Sequence, residues 1–333
     1  MTDQIQLAPT APVQTRSRRP AVPFLAEGVM ILAAVIAYFA FPDSLGMLTR
    51  IIIMMMFVLS IDLVLGYAGI ATLGQAAMYG TGAYAAGLCA VYIVADPLVG
   101  LVVGAAAGAA IAFLSGLMLM RVHGLTLLMM SIAVAQICQE IANKAGWITG
   151  GADGLSGIAV NPLLGRFEFD LIGRTAYWYA FAVFICVFLF LRALAASPLG
   201  LSAMGIRESA ARMAAIGTPV YWRLVVIYVI GGAISGIAGA MSAQVTELVS
   251  LDVYSFVLSA EAVLMLILGG AGRLYGAVLG TAIFMGVQYL ATAADAFTWL
   301  FVIGVMVLVV VFFIPKGMLD LPVALRQLWK RAR

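Results

Sequence analysis

Charge is scarce in this 333-residue chain: 18 lysines and arginines and 15 aspartates and glutamates stand against 64% hydrophobic residues. A single histidine, His123, excludes a histidine-rich metal site and makes histidine catalysis a poor explanation of the chain. The three cysteines, Cys89, Cys138 and Cys186, each sit alone in an apolar run, with no pair at metal-ligand or redox spacing. No G-x-x-x-x-G-K-[ST] phosphate loop occurs, so any ATP that drives this protein must be hydrolysed on another polypeptide. A nucleophile elbow and a metal motif are missing too, which leaves an intramembrane enzyme with little support. No cofactor is expected.

What fills the sequence instead is a succession of apolar runs of about twenty residues, the length that crosses bilayer hydrocarbon as a helix. Inside lipid each backbone N–H and C=O must be satisfied within its own segment, so such runs are read as membrane-spanning helices. Candidate spans fall at 22–42, 48–67, 74–94, 98–120, 125–143, 176–194, 222–243, 255–271, 274–294 and 297–315. Arg16, Arg18 and Arg19 precede the first of them, as in a signal peptide, but that run is too long and lacks a small-x-small cleavage site, so it is expected to remain as a span. With the N-terminus inside, only Arg50, Lys144, Arg166 and Arg174 fall outside, a strong positive-inside bias. The expected fold is all-α, a polytopic integral membrane protein of about ten helices (eight to ten), both termini cytoplasmic.

Glycine marks two kinds of place. Gly100, Gly104 and Gly108, Gly232 and Gly236, and Gly276 and Gly280 recur at four-residue spacing, as helix-packing faces do. Two interruptions differ in kind: Gly66-Tyr67-Ala68-Gly69, running on through Gly74, Gly80 and Gly82, and Gly269-Gly270-Ala271-Gly272. They are either broken helices beside a transport pathway or a pair of tight cytoplasmic turns.

Residues 197–219 read as a short amphipathic helix on the cytoplasmic side. Ser197-Pro198 suits its start, Glu208 and Arg212 form an i, i+4 pair, and Gly217 followed by Pro219 is a stop signal. The pattern allows a helix lying on lipid headgroups or a docking element that presents Arg207, Glu208 and Arg212 to a partner.

Four ordered stretches, LGYAGIATLGQAAMYGTGAYAAGL (65–88), TGGADGLSGI (149–158), SPLGLSAMGIRESAARMAAIG (197–217) and SAEAVLMLILGGAGRLYGAVLGTAI (259–283), resemble the permease subunits of branched-chain amino-acid ABC importers of the LivM type. The resemblance spans nearly the whole chain after the N-terminal tail. It implies a second, homologous permease subunit, two ATPase subunits, an extracytoplasmic solute-binding protein and a bacterial cytoplasmic membrane. Arg207, Glu208, Ala211 and Gly217 occupy the positions of the family's cytoplasmic coupling helix, about 199–216, which inserts into a groove on the ATPase, and Arg212 lies among them. Asp62 stands where the family commonly has Asn, and Gln75 where it often has His or Gln. Related permeases move branched-chain amino acids, urea, amides or small carboxylates.

A polar tail (1–20), one permease domain (21–315) and a basic tail (316–333) are the expected organisation. The loop from Lys144 to Thr175, with Trp147, Asp153, Arg166, Glu168, Asp170 and Arg174, is the largest outer surface and either receives the binding protein or is merely solvated. Ionisable groups within spans cost roughly 2.5 to 3.5 kcal/mol at a helix centre, which makes Asp62, Glu140 and Glu261 functional candidates. Gln136, Gln139, Glu140 and Asn143 fall on one helix face in the outer half of its span, expected either to line water, a subunit interface or a pathway mouth or simply to be solvated at the membrane interface. Gly66, Gly69, Gln75, Gly269 and Gly270 complete the pathway candidates. A zwitterionic solute calls for hydroxyls, amides and half-helix ends rather than a charged cage. The reading that competes with an importer subunit is a self-sufficient secondary transporter or channel, suggested by Asp62, Glu140, Glu261 and the two breaks.

Overall fold

The computed structural model describes residues 25–40, 42–162 and 173–294, with isolated helical positions between 301 and 308. Both expected tails, most of the span at 297–315, and Arg166, Glu168 and Asp170 lie outside the described residues. The chain divides into two units, the first ending at Ser44. In that first unit, helix α1 (Leu25–Ala40) is a 16-residue apolar helix followed by a single 3-10 turn, Pro42–Ser44.

The second unit is helical. Helix α2 (Leu45–Ile61) runs on into a π-helical turn, Asp62–Tyr67. After it come α3 (Gln75–Tyr92), α4 (Pro97–Leu119), α5 (Leu125–Lys144), the one-turn α6 (Gly146–Thr149) and α7 (Arg174–Ala196). Two short helices, α8 (Pro198–Glu208) and α9 (Ala210–Ala215), lead into α10 (Val220–Thr246), α11 (Phe256–Gly269) and α12 (Leu274–Ala294). The chain is thus an all-α, polytopic membrane protein.

Among the described residues, six helices are long and apolar enough to cross a membrane, fewer than the ten expected. Of the four missing, 297–315 lies mostly outside the described residues, α1 has 16 residues, and two more have physical reasons. Helix α11 has 14 residues, about 21 Å at 1.5 Å per residue, against a hydrocarbon layer of about 30 Å. Helix α3 is diluted by glycine, tyrosine and Gln75, and it starts part-way along its neighbour: Ser235, just past the middle of the 27-residue α10, donates its hydroxyl to the carbonyl of Gln75 at 3.2 Å.

The core is a glycine seam where α3, α4 and α10 meet. A Cβ on Gly104 would lie 2.6 Å from Ala240 Cβ and 3.0 Å from the Gly236 carbonyl oxygen, and one on Gly108 2.9 Å from Gly236 Cα. Gly82 of α3 closes on Gly236 from the other side. Removing side chains lets the three backbones touch, the packing that replaces hydrophobic exclusion inside lipid. Gly276 and Gly280 of α12 do the same against Gly269 and Met265 of α11. At the rim of the seam Gln244 Nε2 donates to the Pro97 carbonyl at 2.9 Å, while its Oε1 accepts from Tyr179 at 2.9 Å.

The expected single amphipathic helix over 197–219 is two helices. Ser197 caps α8 by accepting from Gly200 N–H at 3.3 Å, as its position before Pro198 suggests. Ser209 then turns extended (φ −163°, ψ 101°) and caps α9 by accepting from Arg212 N–H at 3.3 Å. An internal serine that starts a new helix separates Glu208, the last residue of α8, from Arg212 in α9, so the two do not stand one turn apart on a single helix. Gly217 (φ +85°) ends the unit as the sequence predicts.

Candidate functional site

The two glycine breaks meet, and Asp62 and Gly272, bonded there, are 210 residues apart in the chain. Widening at the π-turn shifts the hydrogen bonding, with Ala68 N–H donating to Leu63 O and Ile70 N–H to Val64 O, so that Gly66 O finds no acceptor role in the ladder. Arg207 of α8 supplies the missing donor through Nη1. Gly272 N–H, in the turn between α11 and α12, donates to Asp62 Oδ1 at 2.6 Å. The contact depends on bare backbone: a Cβ on Gly69 (φ +74°) would stand 2.8 Å from Arg207 Cγ, and one on Gly272 (φ +83°) 2.9 Å from Arg207 Nη1. Asp62 is fully buried, and Arg207 acts on it as a nearby opposite charge. Gly269 closes α11, and Gly270 (φ +99°) caps it by donating to Leu266 O at 2.8 Å.

Gln75 opens α3 without side-chain exposure. Neither its amide oxygen nor its amide nitrogen has a hydrogen-bond partner among the described residues. The helix start itself is well held: Ala76 N–H donates to Ser259 Oγ of α11 at 3.1 Å, beside the Ser235 contact to Gln75 O. The start of α11 therefore caps the start of α3, a tie across 183 residues for which the sequence carries no local signal.

The expected polar stripe of α5 faces outward except at Gln139, which is partly buried. Thr126, Gln136, Glu140 and Asn143 are exposed, interleaved with exposed Met129, Ala133, Ile137 and Ile141. Glu140 lies 3.4 Å from Lys144 one turn on, both largely exposed. Beyond the helix end Trp147 is 85% exposed and joins Ile137, Glu140, Ile141 and Lys144 around a shallow concavity. Glu261, half-buried on α11, has Arg50 of α2 as its opposite charge.

TGGADGLSGI proves to be a tie. Thr149 Oγ1 donates to Ala142 O at 2.6 Å, Leu155 pairs with Val249 in a two-bond antiparallel bridge, and Leu155 and Ile158 are buried with Tyr84 and Tyr254. Asp153, Ser156 and Gly157 remain exposed on its outer side. Glu208, Ala211 and Arg212 are exposed on α8 and α9, and Gly217 is exposed just beyond them.

A family model for the permease component of branched-chain amino acid transport systems matches residues 44–311. The chain belongs to that family. The high-affinity branched-chain amino acid transport system permease protein LivM of Salmonella typhimurium is 26% identical over 320 residues, covering 88% of this chain and 74% of the relative. The protein of that name from Escherichia coli is 25% identical with the same coverage. A probable branched-chain amino acid transport permease protein LivM of Methanocaldococcus jannaschii is 24% identical over 312 residues, 78% of this chain and 88% of the relative. No solved structure gives a significant match. These relatives are transport components rather than enzymes, and this permease is a membrane subunit of the same kind.

The sequence pointed to this permease's polar stripe, its glycine breaks and its short helical segment. It did not point to their connection. Arg207 reads as a surface residue of an amphipathic helix, and only the unfilled carbonyl of Gly66, itself a product of the π-turn, explains where its guanidinium goes.

Proposed function

We propose that this permease forms one side of the translocation pathway of an ATP-driven importer for branched-chain amino acids or a closely similar small polar solute. It works with a second, homologous permease subunit, two ATP-binding-cassette subunits and an extracytoplasmic solute-binding protein, in the cytoplasmic membrane of a bacterium. The observation that carries this reading is the outward face of α5. Lipid offers nothing to hydrogen-bond with, so Gln136, Glu140 and Asn143 on an exposed membrane helix require water or a partner subunit against them. A pathway wall shared by two subunits supplies both.

The α8–α9 pair is the cytoplasmic contact for the ATPase, offering Glu208, Ala211, Arg212 and Gly217. The termini lie on that same side, with 1–20 and 316–333 as tails around a permease domain of 21–315. On the opposite side the end of α5 and Trp147 face the binding protein. The unpartnered amide of Gln75, an NH2 that donates and a carbonyl oxygen that accepts without net charge, suits a zwitterion that follows the pathway when the chain opens.

The competing reading, a self-sufficient carrier, would run on Asp62, Glu140 and Glu261, of which Glu140 is paired with Lys144 at 3.4 Å. Reconstitution into liposomes decides the matter. Concentrative leucine uptake should require ATP, the ATPase, the second permease subunit and the binding protein together. Uptake by this chain alone, driven by an ion gradient and indifferent to ATP, would reject the proposal.

A further inference from the structure

We propose that Arg207 and Asp62 are the positioning residues through which movement of α8 reaches both glycine breaks at once. The inference rests on the importer reading given above. Arg207 leaves α8 and binds the carbonyl of Gly66, at the end of α2. Asp62, one turn earlier on the same helix, binds the N–H of Gly272 just before α12 begins. Each charge sits at the helix end that favours it, the guanidinium at a C-terminus and the carboxylate near an N-terminus.

The link is short, and its one flexible element, the Arg207 side chain, lies with its stem close against Gly69. Gly66, Gly69 and Gly272 bring backbone directly against the two side chains: a Cβ on Gly66 would stand 2.5 Å from Gly272 N, and one on Gly272 3.0 Å from Gly66 O. Helix α8 packs on the π-turn itself, so a push on α8 has no slack to take up before it moves the backbone. From the π-turn it passes along α2, which packs against α7, α10, α11 and α12, and from Gly272 into the α11–α12 hairpin. The two breaks are then hinges worked by one lever. A helix that only docks the ATPase would need no side chain bonded to the π-turn, and the guanidinium of Arg207, an otherwise exposed residue, is bonded there.

The test uses the full complex in proteoliposomes and two readouts. In the first, Arg207→Ala raises the ATP hydrolysed per leucine imported about tenfold while ATP hydrolysis continues. Asp62→Leu does the same, and Asp62→Asn, which keeps the acceptor for Gly272, stays within about twofold of the parent. An unchanged ratio in Arg207→Ala overturns the joint, whether or not Asp62→Leu assembles.

The second readout is independent of import. In a background without Cys89, Cys138 and Cys186, exposed Ala271→Cys in the α11–α12 turn is labelled with a thiol reagent before and after the ATPase subunits bind. The labelling rate changes about fivefold on binding, and Arg207→Ala abolishes that response. A response that survives Arg207→Ala, or none in the parent, overturns the joint. Failure of the parent complex to import with ATP would instead reject the importer reading.

Discussion

Helices α4 and α5 follow one another in the chain and each has 28% of its most apolar stretch buried, yet their outward faces have opposite chemistry. Leu98, Val99, Val102, Ala106, Ala110, Phe113, Leu114 and Met118 make the exposed side of α4 apolar from end to end. The exposed side of α5 carries Thr126, Gln136, Glu140 and Asn143 among its apolar residues. Their inner faces differ as well. Helix α4 sets Gly100, Gly104 and Gly108 into the seam with α10, whereas α5 buries only Leu127, Ser131, Ala135 and Ala142. One helix has a wholly apolar outward face and a glycine-packed inner one; the other is held more lightly and carries polar groups outward. The difference teaches that in this chain exposure alone does not identify a functional surface, and that the chemistry of what is exposed does.

That contrast can be broken most severely at the seam. Gly236→Leu forces a side chain between the α3, α4 and α10 backbones, and we expect a loss of about 4 kcal/mol or more, read as failure to recover folded protein from membranes. Gly286→Leu, with nothing within 4 Å of its would-be Cβ, serves as the matched control and should be recovered normally.

A charge on each outward face sharpens the comparison next. Val102→Asp on α4 should cost roughly 2.5 to 3.5 kcal/mol and lower the amount of membrane-integrated protein, because it meets lipid. Ala133→Asp on α5 should cost less than about 1 kcal/mol in the assembled complex, because it meets water or a polar partner. Equal losses at the two sites would erase the distinction.

Smaller effects belong to the stripe itself. The double change Gln136→Leu and Glu140→Leu should leave integration intact and reduce leucine uptake about tenfold, a barrier difference of about 1.4 kcal/mol. Uptake at the parent rate would move the pathway away from α5. Least of all, Lys144→Ala removes only the exposed ion pair with Glu140, and thermal unfolding should shift by no more than about 1 kcal/mol.

The residues that were readable before folding share one property: their meaning is local. Apolar run length fixed the class, and helix ends fell where Ser197-Pro198 and Gly217 put them. The period of α5 placed Gln136 and Glu140 on one face without saying what that face meets. The misreadings lie where a local signal met a competing one. Ser209 is a cap inside what looks like a continuous helix, and it split the segment in two. Residues 255–271 look long enough as an apolar run, but the serine-capped start at Ser255 and the glycine end shorten the helix to 14 residues.

By itself, then, the sequence determined that this protein lives in a membrane, that its backbone bonds close within helices, and that glycine lets certain of those helices touch. It did so because desolvation of the peptide group and the helical repeat act within a few residues of chain. Tertiary structure alone decided that the Gly66 and Gly272 breaks are one place, that Arg207 reaches into it, and that Ser259 caps a helix begun 183 residues earlier. Those contacts hang on a carbonyl freed by a π-turn and on N–H groups at helix ends, whose partners are fixed only when distant segments pack.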